Sequence, residues 1–205
     1  MKPVISTIKD IYPSSQAEAQ KQRYKNAVSA FADYFGSVGE HRFFSAPGRT
    51  EICGNHTDHN HGKVFAASVN LDVIAVVEQT DDSRIVIKSE GFPEDSIDIS
   101  QLEPVPEEKN TSASLIRGVA AGFEKHGYKI GGFRAYTTSD VMKGSGLSSS
   151  AAFEVLVGTI LSHLYNGGQV NPVKVAQISQ YAENVYFGKP SGLMDQMASS
   201  VGGFI

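Results

Sequence analysis

The stretch that decides the fold is "KGSGLSSSAAFEV", residues 143–155, where two glycines, a leucine and a run of three serines precede an apolar helical run. Glycine lets the backbone approach a ligand closely, and a loop that enters a helix presents free N–H groups at the positive end of the helix dipole. Such a loop binds anions, most commonly phosphate. Serine hydroxyls can bond phosphate oxygens or complete a magnesium shell. The alternative is a polar linker with an ordinary serine cap.

Three better-known glycine loops do not fit this stretch. A Walker A loop requires Gly-Lys-Ser/Thr at its end, which the stretch lacks. The dinucleotide-binding pattern requires a further glycine, and the nucleophile elbow requires Gly-x-Ser-x-Gly; both are missing. The loop therefore predicts phosphate binding of another type.

A second stretch, "GRTEICGNHTDHNHG" at residues 48–62, concentrates polar side chains between two apolar runs. Arg49, Asn55, His56 and Asp58 supply fork-like donors, an amide, an imidazole and a carboxylate. A sugar requires such a mixture, because each of its hydroxyls both donates and accepts hydrogen bonds. A solvated polar turn is one alternative. Another is a divalent-metal site, although metal ligands rarely crowd one short loop; its ligands would be His56, Asp58, His59 and His61.

A third stretch, "GKPSGLMDQM" at residues 188–197, places Asp195 directly after a Pro-Ser-Gly turn. An aspartate after a turn is often only a helix N-cap. A turn can also bring a carboxylate close to the two earlier loops, where it could act as a base. A phosphate loop, a hydroxyl-binding loop and a candidate base together predict phosphoryl transfer to an alcohol.

Apolar spacing predicts an α+β, two-layer architecture, since helices and strands mix without strict alternation. Ser15 and Glu18 have the spacing of a capping box, and Asn171 before Pro172 predicts a helix start. Apolar spacing predicts helices over 24–35, 111–125, 155–164 and 172–187, and apolar runs predict strands over 41–47, 63–80 (one long or two consecutive), 83–90, 96–100 and 130–140. In the last of these helices, the inner face is predicted to carry Val175, Ile178, Ala182 and Val185, and Glu183 is predicted to face away from them.

Composition limits the classes of function. A chain of 205 residues can bury one substantial core, and its net charge of −4 argues against nucleic acid or an anionic membrane as partner. Cys53 is the sole cysteine, which excludes an intrachain disulfide. The sequence also has no signal-peptide core and no apolar run of membrane-spanning length. We therefore expect a globular cytoplasmic protein.

Together and in this order, the three stretches resemble the galactokinase branch of the GHMP small-molecule kinases. The similarity runs from about Phe44 to Gly203. It implies a two-lobed α+β enzyme with its active site between the lobes, of which this chain would form the N-terminal lobe. We expect residues 1–40 to form a helical segment packed on that lobe and residues 41–205 to form the N-terminal kinase domain.

The resemblance also implies roles for individual residues. Asp195 would be the base that faces the anomeric hydroxyl of the sugar, and Arg49 would keep it ionised and contact the transferring phosphoryl group. Ser150 and Glu183 would help to hold Mg²⁺, and ATP would supply the phosphate. Sugar contacts would come from Arg49, Asn55, His56, Asp58, Gly192 and Asp195. The nucleotide phosphates would lie against Lys143, Gly144, Ser145, Gly146, Leu147, Ser148, Ser149 and Ser150.

Two departures from the family pattern affect the interpretation. Asn55 stands where galactokinases have a glutamate, which leaves open a kinase for a related sugar. The chain is also about half the family length, so we expect a fragment whose C-terminal lobe is absent, and weak or no activity of this chain alone. A non-catalytic sugar and nucleotide sensor and a metal-binding module at His59 and His61 are the remaining alternatives.

Overall fold

The computed structural model describes residues 7–36, 39–142 and 144–205; Lys143 lies outside the described residues. Helices alternate irregularly with strands, as expected of an α+β protein. The helices are α1 (Ile8–Ile11), α2 (Ala17–Phe35), α3 (Ser112–Lys125), α4 (Ser149–Tyr165), α5 (Pro172–Tyr181), a π-helical segment (Ala182–Phe187) and α6 (Met194–Val201). The strands are β1 (Arg42–Cys53), β2 (Phe65–Gln79), β3 (Arg84–Ser89), β4 (Glu94–Asp98) and β5 (Phe133–Ser139). Short 3₁₀ turns lie at Ser14–Gln16, Thr57–Asn60 and Pro106–Glu108.

The five strands form one sheet in the order β1-β2-β5-β3-β4. All neighbouring pairs are antiparallel except β3 and β5, which run parallel. The N-terminal half of β2 extends past the main sheet, where β1 pairs on one side and residues 203–205 pair on the other. This extension brings the ends of β1 and α6 close together.

The core lies between one face of the sheet and helices α3, α4 and α5. Residues of β2 alternate between the two faces, as a strand requires. Val73, Ala75 and Val77 point into this main core, together with Phe123 of α3 and Leu156 of α4. The two-layer α+β prediction is confirmed for this body of the protein.

Helix α2 covers part of the opposite face of the sheet. Its residues Ala27 and Phe31 pack on Ile74 and Val76 of β2 and form a second, smaller core. Phe31 is fully buried. The α2 layer thus gives the sheet a partner on both faces, which the two-layer description did not include.

Three local predictions can be compared directly with the structure. Residues 63–80 contain one long strand, the first of the two alternatives. Asn171 caps α5 as predicted, because its side chain accepts the Val173 N–H at 2.9 Å. The capping box at Ser15 is wrong: residue 15 lies in a 3₁₀ turn that precedes α2, and Thr7 with Asp10 forms a capping box instead.

None of the helices within residues 7–36, 39–142 and 144–205 combines the length and the apolar composition that a bilayer crossing requires.

Candidate active site

The glycine-serine loop between β5 and α4 adopts backbone conformations that few residues tolerate. Gly144 and Gly146 have φ angles of 80° and 78°, and Ser148 has a φ of 57°. Left-handed conformations at non-glycine residues cost free energy and cluster at ligand sites. The loop leads directly into α4, whose first N–H groups have no partner within the helix. The structure thus gives residues 144–150 the local form that an anion-binding loop requires.

Arg49 and Ser148 fix the carboxylate of Asp195 from two sides. Arg49 Nε donates to Asp195 Oδ1 at 2.6 Å, and Ser148 Oγ donates to Asp195 Oδ2. Arg49 is buried, and its NH1 also donates to the Gly146 carbonyl at 2.6 Å. One side chain therefore joins β1, the glycine-serine loop and the first turn of α6.

The same contacts keep Asp195 charged. Its burial would raise the pKa, but the hydrogen bonds from Arg49 and Ser148 and the charge of Arg49 outweigh this effect. The pKa of Asp195 therefore lies below the ordinary value of an aspartate. An ionised, partly buried carboxylate is suited to accept a proton once a hydroxyl is placed against it.

Asp58 anchors the start of α6. Its Oδ2 accepts the N–H of Met194 at 2.9 Å. A β-carbon on Gly192 would lie only 1.9 Å from that oxygen, so residue 192 must be glycine for this contact to form. Because Asp58 bonds the residue before Asp195, it also fixes where the catalytic candidate lies.

His56 and Asn55 occupy a left-handed turn after β1. Their φ angles are 52° and 56°, and asparagine tolerates this conformation better than most residues. The His56 N–H donates to Glu51 Oε1 at 2.8 Å, and its Nε2 lies 3.2 Å from Glu51 Oε2. Glu51 thus holds His56 at the edge of the site, and both His56 and Asn55 are exposed.

Glu183 lies at the base of the site on the π-helical segment. The sequence pattern placed Val185 on the inner face, but Val185 is 50% exposed and Glu183 only 1%. Glu183 follows the buried Ser179 by four residues, so it shares the buried face of the helix, and it lies at the start of the π-helical segment. Its Oε1 lies 3.4 Å from Ser150 Oγ and accepts from Lys189 Nζ at 2.9 Å. A hydroxyl and a carboxylate oxygen fit a magnesium ion, which takes few protein ligands beside substrate phosphates.

Gln196 joins Glu183 to a second buried carboxyl group. Its Nε2 donates to Glu183 Oε2 at 2.8 Å and to Glu154 Oε2 at 3.2 Å. Burial, reinforced by the nearby charge of Glu183, raises the pKa of Glu154 well above its usual range. Sequence reasoning missed Glu154 and Gln196, because a glutamate inside an apolar helical run gives no sign of its partners.

A cavity of about 500 Å³ lies between the glycine-serine loop, the polar turn after β1 and the start of α6. Of the predicted site residues, the structure places Arg49, His56, Asp58, Gly144, Gly146, Ser148, Ser149, Ser150, Gly192 and Asp195 on its wall, joined by Met142, His59, Lys189, Pro190 and Ser191. Asn55, Ser145, Leu147 and Glu183 are not on that wall. In the described part of the chain, no three His, Cys, Asp or Glu residues form a group that could hold a metal ion, so the histidine-based metal module is not supported.

Two family models match the chain over the elements that form this cavity. "GHMP kinases N terminal domain" matches residues 114–203, which include the glycine-serine loop, Glu183 and Asp195. "Galactokinase galactose-binding signature" matches residues 29–79, which include Arg49, His56 and Asp58. Most of the chain is thus similar to the N-terminal part of GHMP kinases.

Individual proteins agree with this similarity to GHMP kinases. A galactokinase of Clostridium beijerinckii is 39% identical over 85% of this chain, and one of Lacticaseibacillus paracasei is 36% identical over 86%. The crystal structure of Lactococcus lactis galactokinase complexed with galactose matches 86% of the chain with a TM-score of 0.79 and 32% identity. Methanococcus jannaschii mevalonate kinase, at 16% identity, 82% coverage of this chain and 53% of its own, and a TM-score of 0.67, shares the fold.

The chain spans about half the length of the galactokinases that it matches, since it covers 45% of the Clostridium protein, 46% of the Lacticaseibacillus protein and 46% of the Lactococcus chain.

Proposed function

We propose that this site transfers the γ-phosphate of ATP to the anomeric hydroxyl of galactose. The observation that carries the proposal is the ionised Asp195, bonded to Arg49 and Ser148 beside an anion-binding loop in one cavity. A fixed carboxylate base next to a phosphate loop is the arrangement that phosphoryl transfer to an alcohol requires. The galactose in the Lactococcus structure supports the choice of sugar.

Asp195 would accept the proton of the sugar hydroxyl while the hydroxyl oxygen forms a bond to the γ-phosphorus. The bond between that phosphorus and the oxygen bridging to the β-phosphate breaks in the same transfer, and ADP leaves with the electron pair. Arg49 uses Nε and NH1 for Asp195 and Gly146, which leaves NH2 to contact the phosphoryl oxygens. Little covalent chemistry falls to the protein, so the rate depends on position and charge.

The nucleotide phosphates would lie along residues 144–150, with backbone N–H groups and the hydroxyls of Ser149 and Ser150 as donors. Ser150 and Glu183 would hold Mg²⁺, which supplies positive charge to the phosphates when bound. His56, Asp58 and the backbone at Gly192 would contact the sugar. Asn55 is exposed and off the cavity wall, so we propose a peripheral role for it.

The wider setting of the reaction is also a proposal. The matched relatives are about twice as long, and a second lobe of the kind that the resemblance implies would close the cavity from its open side. A single unpaired cysteine and ATP as reactant fit the cytoplasm.

The experiment is phosphoryl transfer by the protein expressed from its complete reading frame. ATP, MgCl₂ and one hexose at a time are incubated, and ³¹P NMR detects any sugar 1-phosphate. We expect galactose 1-phosphate from the wild type and at least a thousandfold loss in Asp195→Asn, whose amide cannot accept the proton. His61→Ala, an exposed substitution off the cavity wall, is the matched control and should keep full activity.

Each alternative predicts a different result. Transfer to another hexose but not to galactose would indicate a kinase for a related sugar. Nucleotide and sugar binding without transfer to any hexose would contradict the proposal and favour a sensor.

A further inference from the structure

Lys189 contributes a positive charge to the cavity that the proposed mechanism does not use. It lies on the cavity wall between the π-helical segment and Pro190, and 55% of its side chain is exposed. Its Nζ donates to Glu183 Oε1 at 2.9 Å. The side chain is an ammonium at neutral pH, as a lysine normally is.

The charges on the cavity wall show why a second cation matters. Arg49 already bonds Asp195 and Gly146 through two of its three nitrogens. Lys189 is the one lysine among the described residues of the cavity wall. Its flexible stem lets the ammonium reach different partners. Polyphosphate oxygens that approached the glycine-serine loop would meet the negative charge of Asp195 on the wall and that of the buried Glu183 beside Ser150. An ammonium on the same wall offsets that repulsion.

Glu183 does not depend on Lys189 for its position. Its other oxygen, Oε2, accepts from Ser191 Oγ at 2.7 Å and from Gln196 Nε2 at 2.8 Å. Both of those donors remain in place if Lys189 turns away. The ion pair between Lys189 and Glu183 can therefore open while Ser191 and Gln196 still hold the buried carboxylate.

We propose that Lys189 is a further phosphate-binding residue, which pairs with Glu183 here and turns its ammonium to the phosphates when a nucleotide enters. The identity of the ligand as a nucleoside triphosphate rests on the proposed function. Turning away from Glu183 also frees Oε1, the oxygen that faces Ser150. The exchange thus couples phosphate binding to the carboxylate that would hold the divalent cation.

The test is isothermal titration of the protein from its complete reading frame with ATP, ADP and adenosine, each in EDTA. Removing one charged phosphate contact weakens binding by about tenfold. Lys189→Met should therefore bind ATP about tenfold more weakly, ADP less so, and adenosine as the wild type does. Lys189→Arg keeps the charge and should stay within about twofold of the wild type. The loss for ATP should shrink as KCl is raised.

Lys109→Met is the matched control. Lys109 is an exposed lysine whose side chain packs near Gly188, yet it lies off the cavity wall, so its removal should leave ATP affinity unchanged. The inference is overturned if Lys189→Met binds ATP as tightly as the wild type, or if it weakens adenosine and ATP equally. A wild type that binds neither ATP nor ADP would instead contradict the proposed function, since that failure would not depend on Lys189.

Discussion

At the scale of single residues, Asp195 links the chemistry of the site to its stability. Its pKa is lowered in the folded protein, mainly because the bonds from Arg49 and Ser148 outweigh burial. A lowered pKa contributes stability above the pKa of the unfolded chain, and this contribution is lost as pH falls through the folded pKa. Asp195→Asn removes the titrating group. We expect its free energy of unfolding to fall less steeply than that of the wild type below about pH 4.

Urea denaturation at stepped pH values measures this difference. Asp33→Asn, an exposed substitution on α2, is the control and should follow the wild-type curve. Parallel curves for the wild type and Asp195→Asn would show that Arg49 and Ser148 do not hold the carboxylate in its charged form.

A second residue-scale prediction concerns Gly192. A β-carbon there would lie 1.9 Å from Asp58 Oδ2, so Gly192→Ala must displace Asp58 from the Met194 N–H. The first turn of α6 would shift, and Asp195 would shift with it. We expect at least a hundredfold lower phosphoryl transfer, since a displacement of about 1 Å is enough for such a loss. Galactose 1-phosphate formation measures it. Gly39→Ala, which would meet only one atom at 3.7 Å, should be neutral.

At the scale of secondary structure, much of the fold follows from the sequence pattern. Strand β2, helix α3 and the Asn171 cap could be predicted because each depends on the spacing of nearby residues. The π-helical segment could not, because no single residue marks the wider turn. The apolar stripe that ends at Val185 predicts Val185 on the inner face and Glu183 on the outer one, whereas Glu183 shares the face of the buried Ser179 four residues earlier. The partners of Glu154 and Gln196 were also missed, because hydrogen bonds between distant buried polar groups leave no local signal.

The contact between α3 and the π-helical segment leads to an element-scale prediction. A β-carbon on Gly118 would lie 2.7 Å from Ala182 Cβ and 2.8 Å from Ala182 Cα, so the two backbones must separate in Gly118→Ala. Overpacking costs about 1–3 kcal/mol, against a helix-propensity gain of about 1 kcal/mol. We expect a net loss of up to about 2 kcal/mol in the free energy of unfolding, measured by urea denaturation.

Gly122→Ala is the comparison on the same helix. Its β-carbon would crowd mainly one methyl group of Ile178, at 2.6 Å, while the gain in helix propensity is the same. A side chain yields more readily than a backbone, so Gly122→Ala should be the less destabilised variant. The reverse order would mean that the π-helical segment is free to move away from α3.

At the scale of the whole molecule, Asp72 ties the N-terminal helices to the sheet. This β2 residue is 3% exposed, and its carboxylate accepts hydrogen bonds from Tyr12, Ser45 and Arg23, the last at 2.6 Å. Arg23 also donates to the Asp72 carbonyl at 2.9 Å and to the Thr138 carbonyl at 3.1 Å. Side chains from residues 7–36 and from strand β1 thus meet at one buried charge, so the N-terminal helices and the sheet should unfold together.

Asp72→Ala tests whether these two parts of the protein unfold together. It removes one of the two carboxylates paired with the largely buried Arg23, which keeps Asp140 at 2.9 Å. Breaking a buried ion pair costs about 3–5 kcal/mol, and the remaining partner places the cost at the lower end of that range. We expect a loss of that size in the free energy of unfolding, with amide protection reduced across both α2 and β2 in hydrogen exchange. Asp33→Ala removes an exposed carboxylate from α2 and should change neither. If α2 alone loses protection while the sheet keeps it, the N-terminal helix is an independent attachment and not part of the cooperative fold.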